Sequence, residues 1–240
     1  MKEDLIYLLR DLQKTISLYK EINLLPPLSL KAESFLKGET ELEKAYLDSI
    51  SDLSELRRYL DGCVRCKLHK NRKNIVFGEG NPKAELVFVG EAPGREEDIE
   101  GRPFVGEAGR LLTRIIKAMG LERKDVYICN VVKCRPPRNR DPEADEIKAC
   151  FPFLEAQLRI ISPKIICTLG RIAAQTLLGK DFKITKQRGN WYSYKDIPVM
   201  PTFHPAYLLR NPSEKKLVWE DMKKIMEKLG LNAGTNKNTQ

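Results

Sequence analysis

The sequence has no apolar run near the roughly 18–20 residues that a membrane helix needs. Its opening, Met1-Lys2-Glu3-Asp4, has no secretory hydrophobic region, so an unexported, cytoplasmic chain with no membrane partner is expected. Internal repeats and low-complexity blocks are also missing. The glycine-containing loop after the first apolar strand lacks the Gly-Lys-Ser/Thr of a nucleotide phosphate loop. It lacks the dinucleotide-binding fingerprint as well. Cysteine is sparse, with six in 240 residues. In an unexported chain of this length, that number points to thiols or metal ligands rather than disulfides.

Hydrophobic residues make up 42%, enough for a sizeable core and too many for general disorder. The length suits one domain of roughly 150–200 residues with an appendage. The chain carries 42 Lys+Arg against 33 Asp+Glu, a net +9, spread unevenly. Residues 1–60 hold 9 basic and 11 acidic side chains, and the remainder 33 and 22. A basic body suggests an anionic partner, of which nucleic acid is the commonest large one. Paired charges on a lysine-rich surface are the bland alternative.

Residues 3–22 read as an amphipathic helix, with Leu5, Leu8, Leu9, Leu12, Ile16 and Tyr19 at helical spacing. A second helical pattern covers about 39–60. Residues 1–60 are therefore expected to form a helical N-terminal extension, 61–230 an α/β domain, and 231–240 a disordered tail. Within the domain, short apolar runs at 85–89, 126–132, 164–169 and 197–202 read as strands. Helical patterns at 106–119, 142–160, 171–178 and 213–229 separate or follow them. This alternation predicts a parallel sheet with helices on both faces. Sites in such sheets lie beyond the carboxyl ends of the strands. Those ends carry Gly90-Glu91-Ala92-Pro93-Gly94, Asn130–Arg135, Gly170 and Phe203-His204-Pro205.

Cys63 and Cys66 form a C-x2-C pair, followed by Cys134 and Cys150. Two thiolates from one turn and two more brought up by the fold would complete a four-sulfur shell for zinc or an iron–sulfur cluster. Spacing alone does not choose between them. Cys129 and Cys167 sit in strand runs and read as small buried hydrophobes. His69 is a conceivable zinc ligand but reads as a surface residue. Gly90 and Gly94 allow close backbone approach to a ligand. The acidic run Glu96, Glu97, Asp98, Glu100 reads as a solvated face. Phe104 stands in a loop between glycines, where a large aromatic has no obvious core role; stacking on a planar ligand is one explanation.

The stretches GEAPGREEDIEGRPFVGEAGRLL (90–112), YICNVVKCRPPRNRDP (127–142), FHPAYLLRNP (203–212) and VFGEGNP (76–82), with the four cysteines, closely resemble the family 4 uracil-DNA glycosylases, the thermostable iron–sulfur type. The resemblance covers about residues 60–229. It implies a three-layer α/β/α fold with a four-stranded parallel sheet, and an enzyme that flips uracil out of single- or double-stranded DNA and hydrolyses its glycosidic bond for base excision repair. It implies a [4Fe–4S] cluster on Cys63, Cys66, Cys134 and Cys150. Phe104 would stack on the base, Asn130 would read its edge, and His204 would stabilise the leaving anion at O2. Backbone amides of Gly90, Glu91 and Ala92 would face the base. Glu97 would exclude the thymine methyl, with Asn139 holding Glu97 in position.

The best-known uracil glycosylases carry an aspartate where this chain has Ala92; the resembled family shares this departure, which leaves Glu91 or a backbone carbonyl to activate water. Leu208, Leu209 and Arg210, after His204, are candidates for a wedge filling the vacated stack. Arg135, Arg138, Arg140, Lys186, Arg188 and Arg210 are candidates for phosphate contacts. A monomer is expected, with the N-terminal helices able to dock a replication or repair protein. Three alternatives are open: the related branch that binds uracil-DNA covalently, which uses a histidine that 134–141 lacks; a non-catalytic iron–sulfur DNA-binding module; and a zinc-dependent nucleotide hydrolase.

Overall fold

The computed structural model describes Thr15 and residues 43–231. Most of the 3–22 helix and all of residues 232–240 lie outside the described residues. The expected helix over 39–60 is helical at 43–49 and again in α1 (Leu53–Leu60), with a break at Ile50-Ser51-Asp52. Asp52 makes that break a new start. Its carboxylate accepts from the amides of Ser54 and Glu55 at 2.8 and 3.0 Å, satisfying two otherwise orphaned helix donors.

Six strands form one sheet: β1 (Glu79–Gly80), β2 (Leu86–Gly90), β3 (Tyr127–Asn130), β4 (Ile165–Leu169), β5 (Tyr192–Tyr194) and β6 (Ile197–Thr202). Their order is β1-β3-β2-β4-β6-β5. The expected four-stranded parallel sheet is the inner part, β3-β2-β4-β6. Short antiparallel strands close both edges, so the sheet is six-stranded and mixed. At two and three residues, β1 and β5 are too short to leave a two-residue alternation in the sequence.

Beyond the helical segment 43–49, the α-helices among the described residues are α1, α2 (Arg95–Glu100), α3 (Glu107–Ala118), α4 (Ala144–Ile161), α5 (Arg171–Leu178), α6 (Ile184–Gln187), α7 (Pro205–Arg210) and α8 (Lys215–Lys228). Successive strand residues point to opposite faces, and both faces are covered. Val87 and Val89 pack with Leu56, Tyr59 and Leu60 of α1 and with Phe153 and Leu154 of α4. Leu86 and Phe88 pack with Leu112 and Ile116 of α3 and with Met222 and Ile225 of α8. Each such buried side chain is worth roughly 1.5–3 kcal/mol. This explains why the inner strands read as continuous apolar runs.

Leu47 and Ile50 belong to the same buried cluster as Val87 and Val89. Arg159 of α4 ties them down by donating to the carbonyls of Leu47 and Ile50 at 2.7 and 2.8 Å. The described part of the N-terminal extension is thus packed into the domain core. Among the described residues, no helix is long and apolar enough to cross a membrane.

Candidate active site

Register builds the site. Gly90 and Asn130 are paired residues at the carboxyl ends of neighbouring parallel strands. A Cβ on Gly90 would stand 2.3 Å from Asn130 Oδ1 and 2.5 Å from the Phe104 ring. Gly90 therefore has no room for a side chain, and its bare backbone lets the Asn130 carboxamide and the Phe104 ring both approach it closely. Asn130 is 1% exposed, and its Oδ1 has no hydrogen-bond partner. A buried acceptor left unpaired costs about 1–3 kcal/mol, so it marks a place meant for a donor. The Asn130 carbonyl accepts from the buried Lys133 ammonium at 2.7 Å, and Lys133 also donates to Gln157 at 2.5 Å.

His204 follows β6 and caps α7. Its Nδ1 accepts from the Ala206 amide at 3.1 Å, so Nδ1 carries no proton and Nε2 does. Burial, opposed by Glu97 and assisted by Arg210, pulls its pKa down to about 4. At neutral pH His204 is an uncharged Nε2–H donor. The Phe104 ring lies 5.6 Å from the imidazole, centroid to centroid.

Phe104 sits at a φ of +53°, a left-handed conformation rare for a bulky residue. Glu97 helps hold it there. One carboxylate oxygen accepts from the amides of Val105 and Gly106, both at 3.0 Å, and the other accepts from Gly94 at 3.0 Å. Asp98, 2% exposed, accepts from the Lys73 amide at 2.9 Å. The acidic run is thus partly structural: helix α2 turns Glu97 and Asp98 inward and leaves Glu96 and Glu100 exposed.

Asn130, His204, Phe104 and Glu97 line a cleft of about 530 Å³ that also includes Glu91, Ala92, Asn139, Asp141, Tyr207 and Arg210. Burial first, and then the negative charge of Asp141, pushes the Glu91 carboxyl up to about 7, against the opposing pull of Arg171. Asn139, expected to hold Glu97, instead accepts from Arg135 Nε at 2.8 Å, and three backbone amides hold Glu97. Leu208 is fully buried among the α8 side chains and cannot serve as a wedge: the helical turn of α7 points it into the core. Leu209 is partly buried and Arg210 exposed at the cleft. Arg188 is not free for phosphate either. It pairs with buried Asp221, which also accepts from Thr202 at 2.6 Å. Arg140 makes two hydrogen bonds to Glu146, at 2.9 and 2.7 Å.

On the other side of β3, Cys63, Cys66, Cys134 and Cys150 line one small void together with Arg72 and Lys133. Arg72 donates to Cys134 Sγ at 3.4 Å, and the Lys133 amide donates to Cys150 Sγ at 3.3 Å. Among the described residues, no group of three or more His, Cys, Asp or Glu is arranged to hold a single metal ion. His69 Nδ1 lies 2.8 Å from the Cys66 carbonyl oxygen. Cys129 and Cys167 are fully buried, away from this void.

The family model of the uracil DNA glycosylase superfamily matches residues 77–223. A type-4 uracil-DNA glycosylase of Sulfurisphaera tokodaii is 54% identical over 187 residues, 74% of this chain and 85% of the relative. The type-4 enzyme of Saccharolobus solfataricus is 53% identical, covering 76% of this chain and 86% of its own. That of Thermotoga maritima is 54% identical, covering 68% and 86%. The matched segment contains every strand and all the cleft residues described above, and on these grounds the chain belongs to the uracil-DNA glycosylase superfamily, in its type-4 family.

Proposed function

We propose that the protein removes uracil from DNA by hydrolysing its N-glycosidic bond, leaving an abasic site for base excision repair. The observation that carries this reading is the unpaired, buried Asn130 Oδ1 at the base of the cleft. Uracil offers a donor at N3 and an acceptor at O4, which a carboxamide matches with Oδ1 and Nδ2. Cytosine offers the reverse pair, and such a bidentate contact discriminates by roughly 1–3 kcal/mol. Asn130→Ala is expected to lower kcat/KM for uracil excision at least about tenfold while leaving affinity for uracil-free DNA within about twofold. Unchanged excision by this variant would remove Asn130 as the reader.

The bond to a neutral base is stable, so uracil must leave as an anion. His204, neutral and with its proton on Nε2, is suited to donate to O2 as charge develops there. Phe104 provides the stacking face. Glu97, mounted on three backbone amides, is the group placed to crowd C5 and reject thymine. The base must leave the duplex to reach this depth, at a cost of a few kcal/mol. Partly buried Leu209 and, at the cleft, Arg210 are the remaining wedge candidates. Exposed Arg138, Lys186 and Arg210 supply phosphate contacts.

Glu91 is the candidate for orienting or deprotonating the attacking water. Its carboxyl is pushed up to about 7, and only the ionised form can accept a proton. As pH falls below that value the active fraction falls. The expected kcat/KM declines by about tenfold per unit on the acid side and is flat above about pH 8. His204 contributes no step there, because it stays neutral down to about 4. Glu91→Gln should remove the acid limb. A wild-type profile flat from about pH 5 to about pH 8 would exclude Glu91 from proton transfer.

The thiol cage fits a [4Fe–4S] cluster: four sulfur donors, no histidine among them, and cationic neighbours in Arg72 and Lys133. When bound, the cluster would supply a cross-link between chain segments, since uracil hydrolysis needs no electron transfer. Cys134 lies four residues beyond Asn130, so the cage anchors the loop that leaves the base-reading strand.

A further inference from the structure

Glu79 belongs to the VFGEGNP motif, which no step above uses. It lies on the edge strand β1, which pairs with β3 next to the strand end that carries Asn130. Its carboxylate receives two hydrogen bonds from Arg102, from Nε at 2.7 Å and from Nη2 at 3.1 Å. Arg123 Nε lies 3.5 Å from the same carboxylate. The rest of the Arg123 guanidinium turns to the Phe104 loop: Nη2 donates to the Pro103 carbonyl at 2.8 Å and Nη1 to the Phe104 carbonyl at 3.1 Å. Nη1 also reaches Thr113 Oγ1 at 3.3 Å.

The loop is thus gripped from both sides. Glu97 holds the amides that follow Phe104, and Arg123 holds the carbonyls at and before it. Helix α3 closes the third side, since a Cβ on Gly109 would stand 1.9 Å from the Phe104 carbonyl oxygen. A bulky residue at positive φ relaxes unless its surroundings over-determine it. Arg123 has only 18% of its side chain exposed, so its two bonds to backbone carbonyls are sheltered from water.

We infer that Glu79 and Arg123, with Arg102 as the second strut, are positioning residues that set the Phe104 ring as the stacking platform for the flipped base. Neither touches the cleft; both act through the backbone of 102–104. The inference rests on the reading of Phe104 as the base-stacking residue. A lysine at 123 keeps the charge but not the planar fork that spans two carbonyls and a carboxylate.

The test is a double-mutant cycle, read by single-turnover uracil excision and by inhibition with free uracil. Arg123→Ala and Arg123→Lys are each expected to weaken free-uracil inhibition and excision about tenfold. Glu79→Gln, at a partly exposed position that tolerates the change, should do so to a lesser extent. In a Phe104→Ala background, Arg123→Ala should cost less than about twofold more, because the two act as one unit. A merely structural Arg123 would multiply the Phe104→Ala defect in full, and that result overturns the proposal. So does wild-type excision and inhibition in both Arg123→Lys and Glu79→Gln. A fully active Phe104→Ala overturns the stacking reading itself, and the positioning role with it.

Discussion

His204→Ala is expected to lower the excision rate constant by about 10²–10³, the usual cost of removing one preorganised donor to a developing oxyanion. The size follows from three features. The imidazole is neutral, held so by burial that pulls its pKa to about 4. Its tautomer is set, because Nδ1 is occupied by the Ala206 amide. The donor works in a cleft from which the bound base excludes water, where a hydrogen bond to an anion is stronger than in solution. A neutral donor gives little to the ground-state carbonyl and more to the leaving anion, so kcat should fall with KM nearly unchanged. The variant also loses a helix cap, worth about 1 kcal/mol of stability. That lowers the melting temperature by a few degrees and leaves the enzyme folded. A variant that melts like the wild type and excises at its rate would show that the leaving group is stabilised elsewhere.

Cys150→Ala should have the largest effect on the folded state. Cys150 reaches the cage from α4, while Cys63 and Cys66 follow α1 and Cys134 follows β3. One cluster would tie these three segments together. Structural four-ligand metal sites contribute roughly 10 kcal/mol to folding, comparable to the whole stability of a typical domain at about 5–15 kcal/mol. Loss of one ligand is therefore expected to yield colourless protein that is unfolded or melts far below the wild type. The control is Cys167→Ala, also buried but in β4 and outside the cage. It should cost only the roughly 1–2 kcal/mol of a small core deletion and keep the brown absorption. Colour and melting temperature identical to wild type in Cys150→Ala would contradict the cluster assignment.

The inner strands were legible because burial on both faces makes them plain apolar runs ending in Gly90, Asn130 and Leu169. The two edge strands were not, because pairing rather than composition defines elements of two and three residues. Short helices misled in both directions. The Arg95–Glu100 segment looks like a solvated acidic stretch until its turn points Glu97 at three backbone amides. Leu208 looks like a wedge until the turn of Pro205–Arg210 buries it. Asn130 and His204 stood out at the ends of strands, and Phe104 as a large aromatic in a glycine-flanked loop. Arg123 left no such mark: its partners are backbone carbonyls 19 and 20 residues away, and a carbonyl has no sequence signature.

The most direct test of the account is uracil release from an oligonucleotide bearing one deoxyuridine, run beside identical strands carrying thymidine or deoxycytidine at that position. The account predicts free uracil and an alkali-labile site from the first strand alone. On this reading the thymidine strand should stay intact because its C5 methyl would meet Glu97, and the deoxycytidine strand because its edge would mismatch Asn130. No uracil release by brown, folded protein that binds DNA, or equal release of cytosine, would contradict it.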